Sequence, residues 1–415
     1  MKIFRINLYL SFSIFIRSIF AVKIKDESIN KFFIKITKKN NFFYTSQLRS
    51  SFLLVLLYLK DKFKDRNEIL MSSYNLKEMV NIPFQLKLKT IFYDLNPQVG
   101  SALISDIRKK INNKTLCLVM SNIFNDYETC IALKVLCKKK KIILIEDNAI
   151  YFDNYIKFKR RKFFAGSFGD YTLFSFNIMK NMSSLYGGLV CSNDKKFNTF
   201  AKNIVNNKNL NFPKILYAKQ IITFLILKIF SFNYLYKSIF YYFFYFCNKY
   251  EINFIKKIIY PSLKFKKKII PNYYLSKITK FSKKILYLQI SNLNKRKQNH
   301  TNRKNKNKYY DKVLKLIKSK HVTLLRINNY DFQNYLEYPA LFKDKEKLHQ
   351  YLFTKGFDTK KIQYFDCSKE FKGKFICTNS KKFENEILCL PNHNKINNIY
   401  IDQIANEIKK FYEKY

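Results

Sequence analysis

KIILIEDNAIYFDNYIKFKRRKFFAGSFGDYTLFSFNIMKNMSSLYGGLVCSND, residues 141–194, is the stretch from which the rest of the chain can be read. The 415-residue sequence has seven glycines, and four of them (Gly166, Gly169, Gly187 and Gly188) fall here. Glycine is kept where the backbone must turn sharply or approach something closely. A glycine-poor sequence that gathers it in one place has a tight site there. Ile142 to Ile145 is an apolar run that stops at Glu146 and Asp147. Such a run reads as a buried strand or as a short helical segment. In open α/β sheets, ligands sit beyond the carboxyl ends of the strands. Asp147 would stand at that edge.

Residues 171–179, YTLFSFNIM, are β-branched and aromatic and read as a strand. Lys180 follows this run and precedes the turn-like NMSS and GG. Lys180 is either one surface lysine among many or an amine nucleophile. The chemistry that pairs a lysine with a distant buried aspartate is that of pyridoxal 5'-phosphate (PLP). The lysine holds the cofactor as a Schiff base, and the aspartate keeps the pyridinium nitrogen protonated so that the ring acts as an electron sink.

The wording of the stretch resembles the DegT/DnrJ/StrS-type sugar aminotransferases, a family of fold-type-I PLP enzymes. The matching pieces are Glu146-Asp147-Asn148-Ala149, Gly166-Ser167-Phe168-Gly169-Asp170, Phe174-Ser175-Phe176 with Lys180, Gly187-Gly188, and Asn193-Asp194. The resemblance implies that Asp147 pairs with the pyridine nitrogen, Ser175 helps hold the phosphate and Lys180 carries the cofactor. Related sugar dehydratases have histidine in place of that lysine, so Lys180 favours amino transfer. The implied fold is a three-layer α/β large domain with a mostly parallel sheet, plus a small α+β C-terminal domain.

The formal net charge is +49, with 78 basic and 29 acidic residues. Charge of that size invites a nucleic-acid or anionic-membrane reading. It is spread along the chain, however, with no basic arm and no zinc-finger spacing. Abundant Lys, Asn, Ile, Phe and Tyr with scarce Gly and Pro and no Trp is also the bias of an AT-rich coding sequence. Dedicated nucleic-acid binding is therefore not the reading, although phosphate-bearing nucleotide sugars would still be drawn to this field. The eight cysteines form no C-x-x-C pair and do not cluster with the four histidines. They read as small core residues in a reducing compartment, with neither a disulfide framework nor a metal site.

Four regions follow: an N-terminal amphipathic segment (1–40), a PLP-binding large domain (41–204), an apolar and basic helical insert (205–275) and a C-terminal small domain (276–415). The N-terminal segment has a basic start and an apolar centre, but Arg17 interrupts it and no small-x-small cleavage site follows. It reads as an amphipathic docking or membrane-surface segment, with a signal peptide as the other option. Residues 42–60 read as a loop running into a buried helix. By the resemblance, the turn at Gln47-Leu48-Arg49-Ser50-Ser51 holds the cofactor phosphate through Arg49 and Ser50, with Leu48 standing where the family has glycine. A helix N-terminus with a hydroxyl is an anion site, and Ser50 reads equally as a plain helix cap. EILMSS, TIFYD, LCLVM and IILIE read as strands separated by helices, which predicts a mostly parallel sheet. Tyr74 either covers the cofactor ring or is structural, with Leu76 as the other candidate. Ile150 stands where the family has Gln or His.

The insert is dense in aromatic and aliphatic residues broken by Lys219, Lys228 and Lys237. It fits helices packed on the body or across a dimer, and also a membrane-interface helix. From about 272 the basic, Asn-rich run reads as a long solvated helix. HVTLLRI is a strand, DKEKLHQYLFTKGF a helix, and EILCLPNH with YIDQIANEIKKFY a strand, turn and closing helix. The leading reading is a PLP-dependent aminotransferase of a nucleotide-linked keto-sugar, cytoplasmic or peripheral to the inner membrane face. It takes an amino acid such as glutamate as donor and works as a homodimer. Its rivals are a degenerate relative that acts as a binding scaffold and a peripheral membrane protein working through 205–270.

Overall fold

The computed structural model describes residues 2–20, 24, 26–208, 210–250, 252, 269–361, 364–371 and 375–414. Its strands, in chain order, are β1 (Asn41–Thr45), β2 (Glu68–Ser72), β3 (Tyr74–Asn75), β4 (Lys89–Tyr93), β5 (Thr115–Ser121), β6 (Ile143–Asn148), β7 (Tyr155–Phe158), β8 (Arg161–Phe164), β9 (Tyr171–Ser175), β10 (Gly188–Ser192), β11 (Val322–Leu324), β12 (Tyr338–Phe342), β13 (Phe365–Asp366) and β14 (Ile387–Leu390). Seven of them make the central sheet, in the order β1-β10-β9-β6-β5-β2-β4. The pairs from β9 through β4 are parallel, and β10 runs antiparallel to both β9 and β1.

The unbroken apolar runs of β2 and β5 are what a parallel strand needs when both of its faces are covered. Alternation then sorts the side chains. Ile69, Met71, Cys117 and Val119 face one core, where Phe52, Val55, Leu56 and Leu59 of the helix Leu48–Lys62 pack. Leu70, Leu118, Met120 and Leu144 face the other, against Cys130, Leu133 and Leu136 of the helix Tyr127–Lys140. This is the three-layer α/β arrangement expected from the alternating pattern.

Residues 41–45 are a strand and not a loop. Their aromatic residues pair with β10 from Asn41↔Ser192 to Thr45↔Gly188. A second, smaller sheet, β11-β12-β14, forms around a separate core that includes Tyr310, Leu348, Leu352, Ile401 and Ile404. β12 has no counterpart among the sequence expectations, because Pro339 disguises it. The C-terminal half is tied to the large sheet through Asp94. Its carboxylate accepts from the backbone N–H groups of Asn379 and Ser380 at 3.0 and 2.8 Å, at the start of the helix Thr378–Glu386.

The basic run after 272 is two helices, Lys280–Ser291 and Leu293–Leu314, and it is not simply solvated. His300, Arg303, Asn307, Tyr310 and Asp311 are buried along its inner side. Polar groups are tolerated there because they find partners. Asn392 Nδ2 donates to Asn307 Oδ1 at 2.7 Å, and the Tyr310 hydroxyl donates to the Pro391 carbonyl at 2.8 Å. The N-terminal segment docks on the body. Phe4, Leu8, Leu10, Ile14 and Phe15 share a core with Phe224, Leu227, Tyr236 and Phe244 of the insert, and Arg5 pairs with Asp358 at 3.3 Å with both side chains buried. The described part of the insert is helical, Lys214–Phe230 and Asn233–Lys249, with a bend of 74° between the two. No single described helix is long and apolar enough to cross a membrane.

Candidate active site

The register of the sheet brings the sequence-predicted residues to one edge. Thr45 pairs with Gly188, and Gly188 pairs with Ser175. On the neighbouring strands Asp147 lies opposite Leu173 on one side and Ser121 on the other. The carboxyl ends of β1, β9, β6 and β5 therefore lie side by side, with the start of the helix Leu48–Lys62 after the first and Lys180 after the second. This is where an open parallel sheet leaves a crevice.

Glu146 and Asp147 are consecutive on a strand, so their side chains point to opposite faces. Glu146 is fully buried and accepts hydrogen bonds from the backbone N–H groups of Gly166 (2.6 Å), Phe168 (2.9 Å) and Gly169 (2.9 Å), and from Asn122 Nδ2 (3.0 Å). A buried carboxylate with so many donors organises the loop around it. Gly169 is needed because a Cβ there would stand 2.7 Å from that of Glu146. Lys39, also buried, donates to the Gly166 carbonyl at 3.0 Å. Burial pushes its ammonium pKa down, and Glu146 opposes that shift. The glycine turn thus folds around Glu146 and leaves Asp147 on the opposite face of the sheet.

Asp147 accepts one hydrogen bond, from the Ala149 N–H at 2.9 Å. Burial pushes its carboxyl up to about 6, against the smaller pull of that hydrogen bond and of the Lys180 charge. Lys180 is half-buried, and its backbone N–H donates to the Asn177 carbonyl at 3.0 Å. Loss of hydration pushes its ammonium down to about 8, while Asp147 holds it up. The two feel each other's charge without an ion pair of 4 Å or less between them. Asn181, next in sequence, has both side-chain polar atoms buried and without a hydrogen-bond partner, and so has Gln47 Nε2. Unpaired buried polar atoms of this kind are groups that a polar ligand can satisfy.

Ser175 is half-buried at the end of β9. Ser50 is fully buried, with its hydroxyl 3.2 Å from that of Ser46. The Ser50 and Ser51 N–H groups donate to the Gln47 carbonyl at 3.0 and 3.2 Å, so the Leu48 and Arg49 N–H groups at the helix start are the ones that, with these hydroxyls, suit an anion cradle. Gly188 permits it, since a Cβ there would lie 2.4 Å from the Gln47 carbonyl carbon and 2.6 Å from the Leu48 nitrogen. Arg49 turns along the outer flank. It donates to Gln47 Oε1 at 3.1 Å, lies 3.7 Å from Glu78 and sits 5.5 Å from the Tyr274 ring centre. Tyr74 is fully buried, stacked on Phe124 at 6.3 Å and edge-on to Tyr364 at 5.6 Å. It belongs to the core under the crevice, whereas Leu76 and Ile150 are half-buried.

The C-terminal half contributes groups that no local pattern announces. Lys360 and Glu337 form an ion pair of 2.6 Å, and both charges are felt at Lys180. Burial first, then the Asp147 charge, raises the Tyr364 hydroxyl pKa. Asn122 follows β5, one residue beyond the Ser121 that pairs with Asp147, so the carboxyl-end rule could have found it. The crevice residues fit PLP: a carboxylate for a pyridine nitrogen, an amine of lowered pKa for a carbonyl, and an anion cradle for a phosphate.

Comparisons with known proteins bear on the fold and on the family that the chain is similar to. Residues 49–211 match the profile of the DegT/DnrJ/EryC1/StrS aminotransferase family. A GDP-perosamine synthase of Escherichia coli O157:H7 is 28% identical over 172 residues, 41% of this chain and 46% of that protein. The GDP-perosamine synthase of Vibrio cholerae is 28% identical over 127 residues, 31% and 34% of the two chains. The chain thus matches less than half the length of these curated relatives. Helicobacter pylori PseC, an aminotransferase involved in the biosynthesis of pseudoaminic acid, superposes with a TM-score of 0.71 at 16% identity, covering 100% of both chains. The PLP form of the putative sugar aminotransferase Spr1654 from Streptococcus pneumoniae gives 0.66 at 13%, covering 100% and 99%. The fold is that of the sugar aminotransferases.

Proposed function

We infer that this chain is a DegT/DnrJ/EryC1/StrS-type aminotransferase that uses PLP to move an amino group onto a nucleotide-linked keto-sugar. The observation that carries the reading is the meeting of Lys180, Asp147, Ser175 and the Leu48–Lys62 helix N-terminus at one sheet edge. PLP, when bound, supplies an electron sink that lets a carbon–hydrogen bond beside an amine break heterolytically. Asp147 would hold a proton on the pyridine nitrogen. Its crevice position makes the carboxylate costly alone and comfortable beside a cation. Ser175, Ser50 and the helix N-terminus would bind the phosphate.

Lys180 Nζ would carry the cofactor and, once released by the donor amine, take the proton from the donor's α-carbon. A base whose pKa lies near 8 can both accept and return a proton at neutral pH. The same group then works in the opposite direction on the sugar carbon. The donor is an amino acid such as glutamate. The net charge of +49 draws in the nucleotide's phosphates. We take 41–204 as the cofactor-binding domain and 276–415 as the small domain that closes over it, in a cytoplasmic homodimer.

Purified protein incubated with PLP should gain visible absorbance. Borohydride should then fix the cofactor's mass on the Lys180 peptide, and Lys180→Ala should show neither. Glutamate should bleach the absorbance. Failure of the wild-type protein to take up PLP overturns the reading, and uptake without reaction with any donor would leave a binding protein.

A further inference from the structure

A cavity of about 330 Å³ opens where four parts of the chain meet. These are the N-terminal segment, the end of the helix Lys214–Phe230, the start of the helix Leu293–Leu314 and residues 394–395. Lys228, Lys295 and Lys395 line it together with asparagine side chains. No carboxylate lines it among the described residues, and none of the three lysines has an ion-pair partner there. Lys228 donates to the Leu8 carbonyl at 3.1 Å, and Lys395 donates to the Ser231 carbonyl. Burial, then the Lys395 charge, pushes the Lys228 ammonium down to about 8. The Lys395 charge acts on Lys228 without a counter-charge beside it, and an anion relieves that repulsion.

The rim is apolar. Phe12 and Phe232 line the same cavity and are 54% and 62% exposed. Phe12 begins the helix Phe12–Phe20, where Ile16, Ile19 and Phe20 are also exposed. Phe232 follows the helix Lys214–Phe230, where Ile222, Ile226 and Ile229 are exposed at the spacing of one helix face. The 74° bend after this helix suits an element lying along a surface.

We propose that this face docks on an anionic lipid leaflet, with a lipid phosphate among Lys228, Lys295 and Lys395 and the flanking apolar side chains in the acyl boundary. A soluble phosphate would satisfy the lysines but leave the apolar rim in water. A second copy docked by this same face would set Lys228, Lys295 and Lys395 against the same three lysines, whatever other surface the homodimer uses. The proposal is independent of the aminotransferase reading.

The test is co-sedimentation of the full chain with vesicles of phosphatidylcholine alone or mixed with phosphatidylglycerol. Partition should be about tenfold stronger on the mixed vesicles and should weaken with salt. Lys295→Gln, at an exposed position, should weaken it about fivefold. Ile226→Asp should weaken it as well, and excess inorganic phosphate at constant ionic strength should leave it unchanged. The proposal is overturned by equal or absent partition on both vesicle types, or by Lys295→Gln and Lys395→Gln proteins that bind like the wild type. It also falls if inorganic phosphate displaces the protein, which marks a soluble-anion site, or if Ile226→Asp dissolves an oligomer, which marks a self-association face.

Discussion

Gly188 lies so close to Gln47 that a Cβ on it would stand 2.4 Å from the Gln47 carbonyl carbon and 2.5 Å from its oxygen. The obstacle is backbone, which cannot rotate away as a side chain tip does. This contact seats the N-terminus of the helix Leu48–Lys62 against the start of β10. Gly188→Ala should therefore push the anion cradle away from Ser175. The expected loss is about 1–3 kcal/mol of stability, with PLP affinity falling further than stability alone explains. Urea unfolding with and without PLP separates the two, and an unchanged midpoint and affinity would show that the cradle does not depend on this contact.

Glu146 is the anchor of the loop that precedes β9, and Lys39 is its buried counter-charge. Glu146→Gln keeps the shape but turns one acceptor end into a donor facing backbone N–H groups. Hydrogen bonds to charged groups are worth roughly 1.5–3 kcal/mol each, so a loss of at least that order is expected. Part of the cost is the now uncompensated Lys39 charge. Glu146→Gln with Lys39→Met should be more stable than Glu146→Gln alone by urea midpoint. If the double variant is the weaker, Lys39 acts through its bond to Gly166 and not through Glu146.

Asp147 and Lys180 are legible in the sequence because each follows a β-rich run at a sheet edge, and because glycines mark the turns between them. Glu146 sits in the same motif, yet nothing local tells that it faces the opposite side and folds the loop. Strand β1 hides in NFFYT because aromatic pairs before a helix read as a loop entry as easily as an edge strand. Lys360, Glu337 and Tyr364 come to the crevice only through the packing of the small sheet on the large one, which no spacing encodes. The helix after 292 misleads for a related reason. Its polar inner residues look solvated until the chain supplies Asn392, Asp331 and Tyr338 as partners.

Arg5 fastens the N-terminal segment to the loop that leads to Lys360. Its guanidinium lies 3.3 Å from Asp358 and donates to the Thr359 carbonyl at 2.9 Å. Burial raises the Asp358 pKa, and Arg5 is the first group opposing that. Removing one partner of a buried pair costs about 3–5 kcal/mol. Arg5→Met should approach that loss at pH 8. A carboxyl whose folded pKa is raised binds more protons folded than unfolded, so its penalty grows as pH rises from the unfolded value to the folded one. In Arg5→Met that window extends upward, and the destabilisation should shrink on lowering the pH to about 5. Equal losses at both values, read from urea midpoints, would exclude Asp358 as the source.

The crevice pair makes a prediction of opposite signs. Folded Lys180 titrates near 8, below its ordinary value of 10.5, so the unfolded chain binds the extra proton between those values and stability rises with pH there. Folded Asp147 titrates near 6, above its ordinary 3.8, so the folded chain holds the extra proton and stability falls as pH rises through that window. Between about 6 and 8 both groups are charged and each is under-hydrated. Asp147→Asn should then stabilise the cofactor-free protein at pH 7, by no more than roughly 3 kcal/mol for a carboxyl raised from 3.8 to about 6, while abolishing turnover. The rate at which cofactor-free protein captures PLP needs the unprotonated amine, so it should climb with pH to a plateau with a midpoint near 8. Without the Asp147 charge the Lys180 ammonium loses its nearest support, and that midpoint should move lower. A midpoint that moves upward in Asp147→Asn, followed by stopped-flow absorbance, would mean that the carboxylate does not hold the lysine's proton.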